Sequence, residues 1–116
     1  MSLAKKLNLK PGQKLQVSGA PKGLDLDDVE IAKSGGDGIL VFVTKLADIA
    51  RSAKPAIEAA KADRLAWIAY PKAGKLGTDL NRDILWQNLE PTGIEGVRMI
   101  ALDDTWSAMR FRPGKR

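Results

Sequence analysis

Two loops carry residues whose types and spacing suit the binding of an anion. Gly19-Ala20-Pro21-Lys22-Gly23 is bounded by glycines and follows a strand-like run, while Tyr70-Pro71-Lys72-Ala73-Gly74-Lys75 is followed closely by Thr78, Asp79 and Arg82. Glycines let backbone N–H groups approach a phosphate, lysines supply point charges, and a helix starting near Thr78 offers its positive N-terminus. The candidate contacts are therefore Gly19, Lys22 and Gly23 at the first loop, which reads as a degenerate cofactor-binding loop. At the second they are Tyr70, Lys72, Lys75, Thr78, Asp79 and Arg82, with Thr44 expected beside them. Cysteine and histidine are both absent, which removes the thiolate nucleophile, the imidazole base and almost every zinc site. Carboxylates, lysines and hydroxyls remain. No residue is assigned a catalytic role, and no metal or cofactor is expected.

Two further clusters have structural readings. Asp79, Arg82, Asp83 and Trp86 fall on one face of a helix by their spacing, as a binding epitope or as an ordinary surface ion-pair group beside an indole. Asp103 and Asp104 precede Trp106; adjacent strand residues point to opposite faces, so a turn role is expected in preference to a paired-carboxylate site. Trp67, alternating with Leu65 and Ala69, reads as core.

The elements that must position these loops follow from hydrophobic period and turn residues. Residues 2–9 suit one or two amphipathic turns ahead of Pro11-Gly12, and Lys14 to Gly19 alternates as a half-buried strand. Val29 and Ile31 suggest a small edge strand. Gly38 to Val43 is a continuous apolar run that suits the central strand of a mostly parallel sheet, buried on both faces. Thr44 is expected to cap a helix through Leu46, Ile49, Ala50 and Ala53, with Pro55 kinking it or opening a second. Leu65 to Tyr70 is the next strand, a helix is expected from Thr78 to Leu89, and Val97 to Leu102 with Thr105 to Phe111 forms a closing antiparallel hairpin. The fold class is thus α/β: a single-domain, shortened Rossmann-like, mostly parallel sheet with helices and a C-terminal hairpin. Residues 1–112 form the domain and 113–116 a flexible basic tail.

At 116 residues the chain can bury one core but not a cofactor domain plus a substrate domain. No apolar run approaches a membrane span and no signal-peptide core is present, so a cytoplasmic location is the default. The net charge of +5 comes largely from Lys5, Lys6, Lys10 and Lys14 at one end and Arg110, Arg112, Lys115 and Arg116 at the other. Such clustering invites nucleic acid, but aromatics are few and Asp25, Asp27, Asp28 and Glu30 interrupt it. Homo-oligomerisation through an edge strand stays open.

Together, Leu9 to Gly19, Asp37 to Val43, Leu65 to Lys72 and Val97 to Phe111 resemble the first, fourth and fifth strands and terminal hairpin of the class I S-adenosylmethionine-dependent methyltransferase fold. More closely, Ala69-Tyr70-Pro71-Lys72, Thr78-Asp79-Leu80-Asn81-Arg82-Asp83 and Asp104-Thr105-Trp106-Ser107 are similar to the DUF3052 family, small bacterial proteins of unknown function. The resemblance implies a fold and not an activity. Pro21 stands where the methyltransferase loop has its middle glycine, adding a ring and removing an N–H; Val17 replaces the acidic residue near the end of the first strand. Asp25 to Glu30 come too early for a ribose-binding carboxylate, and the segment between Gly23 and Gly38 is too short for helix, strand and helix.

The reading that results is a non-catalytic, methyltransferase-like binding or scaffold domain holding a small anionic metabolite at the carboxyl ends of its strands, or a protein partner. Its alternatives are a minimal S-adenosylmethionine-dependent transferase with an atypical cofactor site, and a weak nonspecific nucleic-acid binder that uses the basic ends.

Overall fold

The computed structural model describes residues 3–20, 29–32, 36–72 and 74–114. Pro21, Lys22, Gly23, Asp25, Asp27, Asp28, Ala73, Lys115 and Arg116 lie outside them, and with them most of the first candidate loop. Among the described residues six strands form one sheet: β1 (Leu15–Ser18), β2 (Ile31–Ala32), β3 (Gly38–Phe42), β4 (Leu65–Pro71), β5 (Ile94–Ala101) and β6 (Trp106–Pro113). Their order is β2-β1-β3-β4-β6-β5. The first four strands are mutually parallel, and β6 runs antiparallel to both β4 and β5. The described helices are α1 (Leu3–Lys6), α2 (Ile49–Ser52), α3 (Lys54–Lys61) and α4 (Arg82–Leu89). The expected α/β class, the small edge strand, the central apolar strand and the closing hairpin are all present.

Alternation along β3 and β4 feeds two apolar layers. Ile39, Val41, Ala66, Ile68 and Tyr70 point to one face, where Ala53, Ala56, Ala59 and Ala60 of the α2–α3 segment and Leu85 and Leu89 of α4 pack. The small alanines let the helix sit close to the sheet, while Leu40, Phe42, Trp67 and Ala69 point to the other face against Leu3, Leu7, Leu9 and Val29. There the Trp67 indole N–H donates to the Leu7 carbonyl at 3.0 Å, and Phe42 meets Trp106 edge to face at 5.1 Å between ring centres. Both central strands are therefore covered on both sides, which is why they read as unbroken apolar runs.

Two local expectations are corrected. Thr44 does not cap the following helix: its carbonyl accepts from the Thr78 hydroxyl, and the N–H of Leu46 donates instead to Asp79 Oδ1 at 2.7 Å, from far along the chain. The segment itself is a 3₁₀ turn at Leu46–Asp48 and then the single turn of α2, with Pro55 near the start of α3. The helix expected from Thr78 begins at Arg82, because Asn81 is its N-cap and accepts from the Ile84 N–H at 2.8 Å. At the C-terminal end β6 runs to Pro113, Arg112 pairs with Asp63 at 3.1 Å, and the Gly114 N–H donates to the Gly93 carbonyl at 2.8 Å.

Candidate functional site

Beyond the carboxyl end of β4 the chain is held by a run of short-range bonds. The Lys72 N–H donates across to the Thr105 carbonyl at 2.7 Å, the Lys75 N–H donates to the Lys72 carbonyl at 2.9 Å, and the Thr78 N–H donates to the Lys75 carbonyl at 3.0 Å. Gly74 and Gly77, at φ of +80° and +65°, take the left-handed turns that this path requires. Thr78 then bridges two segments, donating its hydroxyl to Thr44 and accepting from the Leu80 N–H at 3.0 Å. With the Asp79–Leu46 bond, this clasp ties the end of β3 to the approach of α4 and so fixes where the helix starts.

The start of α4 borders an open surface cavity of about 400 Å³ lined by Tyr70, Lys72, Asn81, Arg82, Asp83, Met99 and Ser107. Tyr70 and Ser107 are directly opposed on β4 and β6. Lys72 and Arg82 contribute positive charge, and the lining includes the cap and first two residues of a helix whose N-terminal N–H groups carry partial positive charge. Asp83 supplies one carboxylate, 3.5 Å from Arg82 Nε; both side chains are mostly exposed, so the pair constrains little. Tyr70 is buried, and its hydroxyl donates to Met99 Sδ at 3.0 Å. Burial pushes the Tyr70 phenol above its ordinary pKa; Arg82 pulls it down by a smaller amount and Asp83 pushes it up by less again. At neutral pH the phenol is therefore a proton donor, and a thioether is a weak acceptor for it. An anionic oxygen would be a stronger acceptor, so this arrangement of a phenol O–H, two cations and a helix N-terminus is chemically equipped to hold an oxyanion.

Of the residues expected from sequence, Tyr70, Lys72 and Arg82 are gathered in this cavity. Thr44, Thr78 and Asp79 form the adjacent clasp, where the Thr44 carbonyl, the Thr78 hydroxyl and the Asp79 carboxylate have protein partners. Asp79 precedes α4, which corrects the reading that put it on one helix face with Arg82, Asp83 and Trp86. Lys75 is exposed in the 3₁₀ turn Lys75–Gly77, outside the cavity lining. Gly19 follows β1 at φ +77°, and a Cβ there would lie 3.3 Å from the Phe42 carbonyl oxygen, so glycine serves the close approach of the chain after β1 to β3. Lys22 and Gly23 lie outside the described residues. Asn81, Met99 and Ser107 were missed. An Asn three residues before Ile84 is a cap signal, whereas Met99 and Ser107 reach the site only through strand register.

The remaining clusters resolve as structure. Asp103 Oδ1 accepts from the N–H groups of Thr105 and Trp106 at 2.8 and 2.7 Å, the expected turn role. In the basic C-terminal group, Arg112 pairs with Asp63, and Arg110 donates to Asn8 Oδ1 at 3.2 Å. Among the described residues no group of three or more His, Cys, Asp or Glu could hold a metal ion, and no helix is long and apolar enough to cross a membrane. No protein-family model, curated protein or solved structure matches the chain.

Proposed function

We propose that this chain is a methyltransferase-like α/β binding domain that holds a small phosphate- or carboxylate-bearing metabolite at the carboxyl end of β4, without itself catalysing group transfer. The observation that carries the reading is the gathering of Lys72, Arg82, the start of α4 and the Tyr70 hydroxyl around one cavity of about 400 Å³. Ligands of open α/β sheets sit outside the carboxyl ends of the strands, where helix N-termini converge. The placement of β1 between β2 and β3, with β4 next and the hairpin beyond it, supports the methyltransferase-like part of the proposal.

The test is a thermal-shift titration with sodium phosphate, chloride-matched in ionic strength, alongside S-adenosylmethionine. Phosphate at about 100 times its dissociation constant adds about 2.7 kcal/mol, a rise of several degrees in a domain of this size. Lys72→Ala and Arg82→Ala should each abolish most of the rise. A rise with S-adenosylmethionine that survives both substitutions, with none from phosphate, would replace this reading with the transferase alternative.

A further inference from the structure

The anion cavity does not end at Arg82. A second groove of about 270 Å³ runs between α4 and β5, lined by Arg82, Trp86, Gly96, Val97, Arg98, Met99 and Met109, and it meets the first cavity at Arg82 and Met99. The two have different chemistry. The first is lined mainly by charged and hydrogen-bonding groups, while the second is an indole, two thioethers and an aliphatic residue between two guanidinium groups.

The exposure of this groove has an identifiable cause. Large apolar side chains exposed among the described residues include Ile31, Leu46, Trp86, Val97 and Met99, and the last three share the groove. Scattered exposed apolar residues need no explanation, but a cluster does. A bulge between Gly96 and Arg98 shifts the β5–β6 register at Val97, which stands 48 % exposed. Gly96 lets the Met109 thioether form the floor: a Cβ there would lie 2.6 Å from Met109 Sδ. Trp86 is 36 % exposed, whereas Trp106 and Trp67 are 5 % and 0 %. Trp86 follows Arg82 by about one turn of α4, so the two residues share one strip of the helix, their backbone positions about 6 Å apart along its axis. Lys72, Arg82 and Arg98 outnumber Asp83 across the two cavities, so the combined surface favours an anion that also brings a flat apolar body.

We propose that the two cavities form one bipartite site for a nucleoside monophosphate, with the phosphate at Lys72 and Arg82 and the base stacked on Trp86 between Val97 and Met99. The proposal rests on the anion reading above and adds the base. One helical turn between Arg82 and Trp86 leaves a sugar-sized separation. An exposed indole flanked by arginines stacks any nucleobase through its π face, and arginine adds cation–π attraction. The nucleotide is either free or part of a single strand, which shares the same phosphate and base chemistry.

Calorimetric titration with AMP, ribose 5-phosphate and inorganic phosphate at one ionic strength tests this. AMP is expected to bind at least tenfold more tightly than ribose 5-phosphate, and Trp86→Ala should remove that difference while leaving ribose 5-phosphate affinity unchanged. In wild-type protein, which needs no variant to fold, the Trp86 indole N–H resonance should shift with AMP and stay in place with ribose 5-phosphate. A short oligoadenylate that binds more tightly than AMP, with a steep fall in salt, would identify a strand as the source; equal or weaker binding would identify the free nucleotide. Equal affinities for AMP and ribose 5-phosphate, or an AMP affinity indifferent to Trp86→Ala, would overturn the base site and leave the anion site standing. Failure of all three phosphates to bind would overturn both.

Discussion

The parallel half of the sheet and its antiparallel margin are built from similar residues to opposite ends. In β3 every residue is buried, and in β4 all but Leu65 are, because helices cover one face and the N-terminal segment the other. In β5, at the edge of the sheet, only Ile94 is fully buried, and Val97 and Met99 face outward beside Trp86. Apolar residues in the first region hold the fold together, and in the second they are free to meet a ligand. The two candidate cavities lie where these regions join, at Tyr70, Met99 and the start of α4.

The largest test of that contrast uses two tryptophans. Trp67→Ala removes a side chain with no exposed surface and a buried N–H bond, and should cost about 3–5 kcal/mol in urea unfolding, a large share of the stability of a small domain. Trp86→Ala should cost less, about 1–2 kcal/mol, because the indole is already 36 % exposed. Equal losses would mean that the α4–β5 groove is core and not surface. Two glycines give the next largest contrast. At Gly38 a Cβ would sit 2.9 Å from the Leu65 side chain and 3.0 Å from its carbonyl oxygen, and Gly38→Ala should cost about 1–3 kcal/mol because that backbone cannot yield. At Gly96 the obstacle is the flexible thioether of Met109. Gly96→Ala should therefore cost less than Gly38→Ala but displace Met109 within the groove, weakening AMP while sparing ribose 5-phosphate.

The same division decides what could be read from sequence. β3 and β4 are legible because burial on both faces demands continuous apolar runs, and the hairpin is legible because Asp103-Asp104 separates two strand-like runs. Tyr70 and Lys72 are legible as candidate-site residues because they lie at the carboxyl end of a parallel strand. The start of α4 is not, since Thr78 satisfies the local rule for a cap equally well. Its hydroxyl is claimed by the Thr44 carbonyl, and the cap falls to Asn81. Thr44 fails as a cap for the reciprocal reason, because Asp79 reaches back to the Leu46 N–H. Met99, Ser107 and the groove depend on the β4–β6–β5 register and on the bulge after Gly96, which are pairings between distant segments and leave no local periodic signal.

The smallest effect probes the join itself. Tyr70 is the only tyrosine in the chain, so the rise of phenolate absorbance with pH reports its titration directly. Burial raises its pKa in the folded protein, so the folded state keeps the proton that the unfolded chain releases at about pH 10. Stability from this group is therefore fully present at neutral pH and is lost as pH climbs from about 10 through the folded value. Tyr70→Phe should cost at most about 1 kcal/mol at pH 7, the worth of one hydrogen bond to a weak acceptor, and that deficit should shrink or reverse above pH 10 as the wild type begins to bury a charge. Lysines titrate in the same range in both proteins, so the difference between the two urea midpoints isolates Tyr70. A phenol that titrates at or below its ordinary value would mean that water or the Arg82 charge governs it, and the cavity wall that Tyr70 forms would be wet. A raised value that stays in place on adding phosphate would instead locate the bound anion away from the ring, because an anion held against the phenol oxygen must push the titration higher still.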